Sequence, residues 1–76
     1  MDFLKIDGSI VRGIADDATQ RVMVEAIARI GHVMGIKIIA EFVENESVLN
    51  ELRQIGVDYA QGFGISKPHP LAKLLD

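Results

Sequence analysis

The sequence predicts an α/β fold with parallel strands, built from three consecutive βα units. Three short apolar segments, 2–7, 36–40 and 57–61, alternate with longer segments of helical character. This alternation is typical of parallel strands joined by crossover helices. Each apolar segment also ends on polar residues, at the place where function collects in such folds. Because a complete eight-fold barrel needs about 250 residues, the order βαβαβα predicts about the last three units of a TIM-type barrel.

The first half of the chain predicts a strand followed by a long helix. Gly8 and Ser9 close the strand at 2–7, and residues 10–16 are compatible with either a first helical turn or an ordered loop. Asp17 and Gln20 have the spacing of a capping box, which predicts a helix over Thr19–Met34. The apolar residues of this helix form one stripe: Val22, Met23, Ala26, Ile27, Ile30 and Met34.

The second half predicts two more strands and two more helices. Asn45 is placed to cap a helix over Glu46–Ile55, and Gly56 follows it. The inward face of that helix is expected to consist of Val48, Leu49, Leu52 and Ile55. After the strand at 57–61, Gly62-Phe63-Gly64 is expected to form a flexible exit. Pro68 and Pro70 are then expected to frame a short final helix, Leu71–Leu75.

Composition excludes several classes of protein. The 76 residues carry a net charge of −3 with no basic run, which argues against binding to duplex nucleic acid. No apolar stretch approaches the roughly 20 residues of a membrane span, so no membrane segment is expected in this chain. The absence of cysteine excludes disulfides and agrees with a cytoplasmic location, which is the expectation.

Three residues at predicted strand ends are candidates for chemistry. A lysine desolvated at the position of Lys5 can hold a water or a phosphate oxygen, although an exposed lysine on a frayed strand fits the same pattern. Glu41 follows an apolar run, so its carboxylate is expected at the rim of the sheet, where it can ligate a cation or accept a proton. The alternative is an acid favoured by a helix N-terminus. Gln61 before Gly62 can present an amide to a substrate, but this pair is also common in turns.

Other polar residues are better explained by structure. Asp7 and Asp58 are candidates for supporting partners or loop caps, and the cap is the stronger interpretation for Asp58. Neither His32 nor His69 has a second histidine at metal-ligand spacing, so both are interpreted as structural.

Taken together, these segments resemble the C-terminal part of the EAL domain, the bacterial cyclic di-GMP phosphodiesterase family. The matching stretches are Asp2-Phe3-Leu4-Lys5-Ile6-Asp7, Ile39-Ala40-Glu41-Phe42-Val43-Glu44, the segment 56–63 and the tail Ser66-Lys67-Pro68. The resemblance covers essentially the whole chain, so residues 1–76 are expected to form a partial EAL domain with no second domain.

The resemblance implies a role for each site residue. Lys5 resembles the lysine that holds the attacking water, and Glu41 the acidic residue near the metals that helps to activate it. Gln61 resembles the glutamine near the substrate, Glu44 the glutamate that steadies a neighbouring metal-binding loop, and Asp7 matches a motif position with a supporting role. In the family, two divalent cations, Mg²⁺ or Mn²⁺, serve the opening of one phosphodiester of cyclic di-GMP to a linear dinucleotide, a form of two-metal hydrolysis.

The sequence also departs from the family pattern. Phe42 occupies a position where the family usually has glycine, and a ring there would narrow the site or re-aim Glu41. The Glu-Ala-Leu motif and most of the metal ligands are absent from these 76 residues. The isolated chain is therefore expected neither to catalyse nor to bind the cations tightly. It is expected to form a homo-oligomer through exposed strand edges, and a non-catalytic, self-associating scaffold is the alternative function.

Overall fold

The computed structural model describes residues 2–62 and 65–71, with side chains for all of these except 65–69. The strands are β1 (Phe3–Ile6), β2 (Lys37–Val43), β3 (Tyr59–Gly62) and β4 (Ile65–Pro70). The helices are α1 (Gly8–Val11), α2 (Ala18–Val33) and α3 (Glu46–Ile55).

The first three strands form the predicted parallel sheet. They lie in the order β1-β2-β3, with Lys5 paired with Ile39 and Ile39 paired with Tyr59. Because α2 and α3 connect these strands, each strand points in the same direction and their carboxyl ends share one edge of the sheet. The α/β fold and the parallel βα order are therefore confirmed.

A fourth strand corrects the expectation for the end of the chain. β4 runs antiparallel to β3, with Tyr59 paired with Pro70 and Gly62 with Ile65. Pro68 and Pro70 therefore lie in an edge strand rather than framing a helix, a position that tolerates residues without an N–H group. Of the predicted helix Leu71–Leu75 only Leu71 is described, and it has no helical structure; residues 63–64 of the predicted exit also lie outside the described residues.

The hydrophobic core lies between the sheet and its helices. β-strand alternation turns Ile6, Ile38, Ala40 and Ala60 towards this side, where all four are buried. The buried helix residues include Val24 and Ala28 of α2 and Val48 and Leu52 of α3. The inward face predicted for α3 is confirmed, since Leu49 and Ile55 also pack against the core.

The predicted stripe of α2 is mainly on the outside. Val22, Met23 and Ile30 are exposed, and small residues, Ala28 and Gly31, face the sheet instead. At Gly31 an added Cβ would lie 2.4 Å from Cδ1 of Ile38, so the helix approaches β2 too closely for a larger residue. Val24 and Ile27 still reach the core, but the remaining large apolar side chains of the stripe lie on the outer face of α2.

The helix ends follow the sequence closely. The Asp17 side chain accepts a hydrogen bond from the Thr19 backbone at 2.9 Å, and Asn45 accepts one from Val48 at 2.9 Å. The undecided segment 10–16 begins in α1, where Val11 is buried, and continues as turns in which Ile14 is buried. Among the described residues, no helix is long and apolar enough to cross a membrane.

Candidate functional site

The structure brings Lys5 and Glu41 together at the carboxyl ends of two neighbouring strands. Lys5 pairs with Ile39 in the sheet, and Glu41 follows two residues later on the same face. The Lys5 Nζ lies 3.8 Å from the Glu41 Oε2. Lys5 is 62% exposed and Glu41 27%, so the lysine matches the exposed alternative of the sequence analysis while still meeting the carboxylate.

A bulge in β2 sets the direction of Glu41. Ala40 pairs with Ala60 and Val43 pairs with Gly62, so Glu41 and Phe42 together lie opposite Gln61 alone. One extra residue in a strand shifts the alternation of side chains beyond it. Val43 therefore reaches the core, where it is 1% exposed, while Glu41 stays on the face of Lys5.

Phe42 is the residue of this bulge whose backbone conformation is unusual. Its φ angle is 58°, in the left-handed region that is sparsely populated by residues other than glycine. Its ring lies over Gly8, since a Cβ added to Gly8 would come within 2.5 Å of the Phe42 Cδ2. A glycine would meet this backbone requirement without strain, whereas here a large side chain occupies the position and is 65% exposed.

Gln61 lies on the same face as the Lys5–Glu41 pair. It follows Tyr59 by two residues in β3, and Tyr59 pairs with Ile39. The side chain is half-buried. The next residue, Gly62, has a φ of 111°, and a Cβ there would lie 2.7 Å from the Val43 nitrogen. Only glycine allows this close approach of β3 to the bulge.

Asp7 acts as the N-terminal cap of α1. Its carboxylate accepts hydrogen bonds from the Ser9 backbone at 2.9 Å and from the Ser9 hydroxyl. These bonds, with the nearby Arg12 guanidinium, hold the pKa of Asp7 below its usual value. Glu44 is exposed and borders a cleft of about 270 Å³ together with Asp7, Arg12 and Phe42.

The sheet carries a second polar cluster at its opposite, amino-terminal edge. The Asp58 Oδ2 accepts a hydrogen bond from the Ile38 backbone at 2.8 Å and lies 2.9 Å from the His32 Nε2. This joins the end of α2 to the starts of β2 and β3. It agrees with structural roles for His32 and Asp58, and no local sequence signal reveals that the two residues meet.

The described residues hold too few ligands for two cations. Among residues 2–62 and 65–71, no three histidine, aspartate or glutamate side chains converge. The charged partner of Glu41 is the ammonium group of Lys5, at 3.8 Å. A pair of hard divalent cations needs several carboxylates, so the residues present do not by themselves fit the metal centre that the resemblance implies.

Comparison with known proteins identifies the chain's relatives. The family model described as EAL domain matches residues 1–68. The cyclic di-GMP phosphodiesterase PdeB of Shewanella oneidensis is 44% identical over 72 residues, and PdeA of Borreliella burgdorferi is 42% identical over 71. The matches cover 95% and 93% of this chain but only 8% and 11% of those proteins.

Solved structures agree with this assignment. The EAL enzyme Bd1971 is 37% identical and superposes with a TM-score of 0.81 over 93% of this chain and 19% of its own length; it has been solved with cyclic di-GMP bound. BlrP1 of Klebsiella pneumoniae, 30% identical with a TM-score of 0.81, has been solved as a calcium and cyclic di-GMP complex; the match covers 95% of this chain and 18% of BlrP1. The chain spans about a tenth of the length of PdeB and PdeA, the curated relatives named above. With a family match over most of its residues and this shared fold, it belongs to the EAL domain family.

Proposed function

We propose that the chain is the C-terminal portion of an EAL domain that hydrolyses one phosphodiester of cyclic di-GMP to give a linear dinucleotide. The observation that carries this proposal is the approach of Lys5 and Glu41 to 3.8 Å at the carboxyl ends of β1 and β2. This edge of a βα barrel is where catalytic residues collect. The relatives PdeB and PdeA carry this activity in their names.

Each site residue has a role that its position supports. The Lys5 ammonium holds the attacking water or a phosphate oxygen, and Glu41 accepts a proton from that water. General-base assistance of this kind contributes about 10²–10⁴-fold to the rate. Gln61, on the same face, contacts the substrate, while Asp7 and Glu44 support the loops on either side.

The cations belong to the complete domain. Glu41 would contribute one carboxylate to a site for Mg²⁺ or Mn²⁺, which would supply positive charge to the phosphodiester. The remaining ligands are not among the described residues of this chain. We expect the isolated 76 residues to be inactive and to bind neither cation tightly, and we place the complete protein in bacterial cytoplasmic signalling.

The test compares the complete EAL domain that contains this chain with the 76-residue chain alone. Both are incubated with cyclic di-GMP and Mg²⁺ or Mn²⁺, and the linear dinucleotide is separated chromatographically. The complete domain should form product, and the short chain should match a no-protein control. Product from the short chain would contradict its predicted inactivity, and no product from the complete domain would contradict the proposed function.

A non-catalytic module that self-associates is the second candidate function. It is favoured by the exposure of Phe3 and Leu4 on β1, which lies at one edge of the sheet. An unpaired strand edge is a template for pairing with another chain. A complete domain that is inactive but forms a stable oligomer through this edge would support this alternative.

A further inference from the structure

The side chain of Phe42 borders a cleft of about 270 Å³ on the α1 side of β2, together with Ser9 and Arg12. Lys5 and Glu41 are not among the residues that line this cleft. The Phe42 side chain therefore has a contact of its own beside the Lys5–Glu41 pair.

The contact between Phe42 and Gly8 connects the ends of two strands. Gly8 is the first residue of α1 and follows Asp7, which in turn lies two residues after Lys5. The Phe42 Cβ, Cγ and Cδ2 all lie within 2.8 Å of the place that a Gly8 Cβ would occupy. The Phe42 side chain therefore occupies the space that a side chain at position 8 would need. This contact joins the end of β2 to the segment that follows β1.

We infer that Phe42 is a positioning residue for Glu41, and this inference rests on the proposed function. The ring fixes the bulge in which Glu41 faces Lys5, because a bulge held only by a glycine at position 42 would have more backbone freedom. An aromatic residue held at a φ of 58° is a strained arrangement. Such strain persists where the surrounding structure enforces it, and here the Phe42 side chain lies against Gly8 while its Cα lies close to Gly62.

The kinetic test uses the complete domain and two variants that remove the ring while suiting the left-handed backbone, Phe42→Gly and Phe42→Asn. Both should lower kcat by about 10- to 100-fold, the scale of a small misplacement of a catalytic group. KM should change by less than about threefold, because an interaction that matters only in the transition state is removed. Phe42→Tyr keeps the ring on Gly8 and should retain the activity.

A second variant approaches the contact from the other side. Gly8→Ala places a Cβ against the ring and should lower kcat in the same way. Gly13→Ala is the matched control, because its Cβ meets only the flexible end of Gln20, and Val33→Ala controls for loss of an exposed apolar side chain. Both controls should leave kcat unchanged.

A structural measurement separates this inference from the proposed function. In the complete domain, a nuclear Overhauser effect should connect the Phe42 ring protons with the Gly8 Hα protons, and Phe42→Asn should abolish it. Absence of this Overhauser effect in the wild type would overturn the inference. So would an active wild-type domain whose ring-free variants have an unchanged or higher kcat, or a raised KM at constant kcat. An inactive wild-type domain would refute the proposed function instead.

Discussion

Lys5 and Glu41 form an ion pair that contributes little to stability. An exposed pair at 3.8 Å gives about 0–1 kcal/mol, because water screens both charges. The role that we propose for the pair is chemical, so its effects on turnover and on the free energy of unfolding can be measured separately.

In the complete domain, Lys5→Ala and Glu41→Ala should each reduce turnover by about 10²-fold or more. The free energy of unfolding should change by less than about 1 kcal/mol in each variant. Steady-state rates and urea denaturation measure the two effects. Glu46→Ala, on the exposed first turn of α3, is the control, and equally small effects of all three on turnover would contradict the assigned roles.

The lowered pKa of Asp7 predicts that the free energy of unfolding depends on pH. Its pKa is lowered in the folded chain by hydrogen bonds from Ser9 and by Arg12. A group with a lowered folded-state pKa binds more protons when unfolded, so its contribution is complete above the ordinary aspartate value and is lost as the pH falls through the folded-state pKa.

The stability difference between wild type and Asp7→Asn should therefore shrink in acid. Asparagine is also a good N-cap, so the variant keeps the capping hydrogen bond but cannot titrate. Denaturation curves at neutral and acidic pH measure the difference. Asp16→Asn, in the exposed turn before α2, serves as the control, and a difference that does not depend on pH would rule out the predicted linkage.

The sequence predicts which residues meet at the site better than it predicts their conformations. Lys5 and Glu41 are identifiable because each ends an apolar strand, and parallel strands bring such ends to one edge. The seating of Phe42 on Gly8 could not be predicted, because it depends on a bulge between distant segments. The meeting of His32 with Asp58 depends in the same way on a contact across 26 residues.

Among the elements, the segment that starts β3 is held by one side chain. The Asp58 carboxylate accepts the Ile38 N–H and pairs with His32 at the end of α2. Its backbone accepts a further hydrogen bond from Leu71 at 2.8 Å. This residue therefore couples the amino-terminal ends of the two central strands to a helix.

Asp58→Ala should destabilise the fold by about 1–3 kcal/mol, because the partly buried Ile38 N–H loses its acceptor. Asp58→Asn, which keeps a side-chain oxygen, should cost less. Urea denaturation of the three proteins gives the ranking. Asp16→Ala, in the exposed turn before α2, is the control. If Asp58→Ala is no more destabilising than this control, the Asp58 contacts do not contribute to the free energy of unfolding.

Two elements show where prediction from periodicity reaches its limit. The six-residue stripe of α2 does not coincide with the buried face, which includes Ala28 and Gly31 because this part of the helix approaches β2 closely. The two prolines predict the frame of a final helix, but Pro68 and Pro70 lie in β4, at an edge of the described sheet, where proline is tolerated. Both features depend on neighbours that the local sequence does not encode.

At the scale of the whole molecule, the isolated chain exposes surfaces that water does not favour. Among the strands that the structure describes, β1 pairs on one side only, with β2. Its Phe3 and Leu4 side chains are exposed, as are Val22 and Ile30 on α2. A single core of this size rarely supplies more than about 3–5 kcal/mol. We therefore propose that the 76-residue chain folds as a homo-oligomer paired through strand edges.

The melting temperature of the 76-residue chain should rise with protein concentration, as expected when association stabilises the folded state. Phe3→Glu, at the β1 edge, should weaken association in sedimentation experiments. Val33→Glu is the matched control, because Val33 is 83% exposed and belongs to α2 rather than to the β1 strand. A folded monomer with an unchanged melting temperature over a hundredfold dilution would exclude this assembly.

The antiparallel fourth strand, β4, affects which edge of the sheet can accept a further strand. Leu71 donates its N–H to the Asp58 carbonyl at the start of β3, so backbone alternation turns the position of Pro70 away from β3. Proline has no N–H to offer an incoming strand. Position 70 therefore offers no N–H to a strand arriving on the outer side of β4, whereas every residue of β1 (Phe3–Ile6) retains its N–H. A strand from a second copy of the chain is consequently better accommodated beside β1 than beside β4.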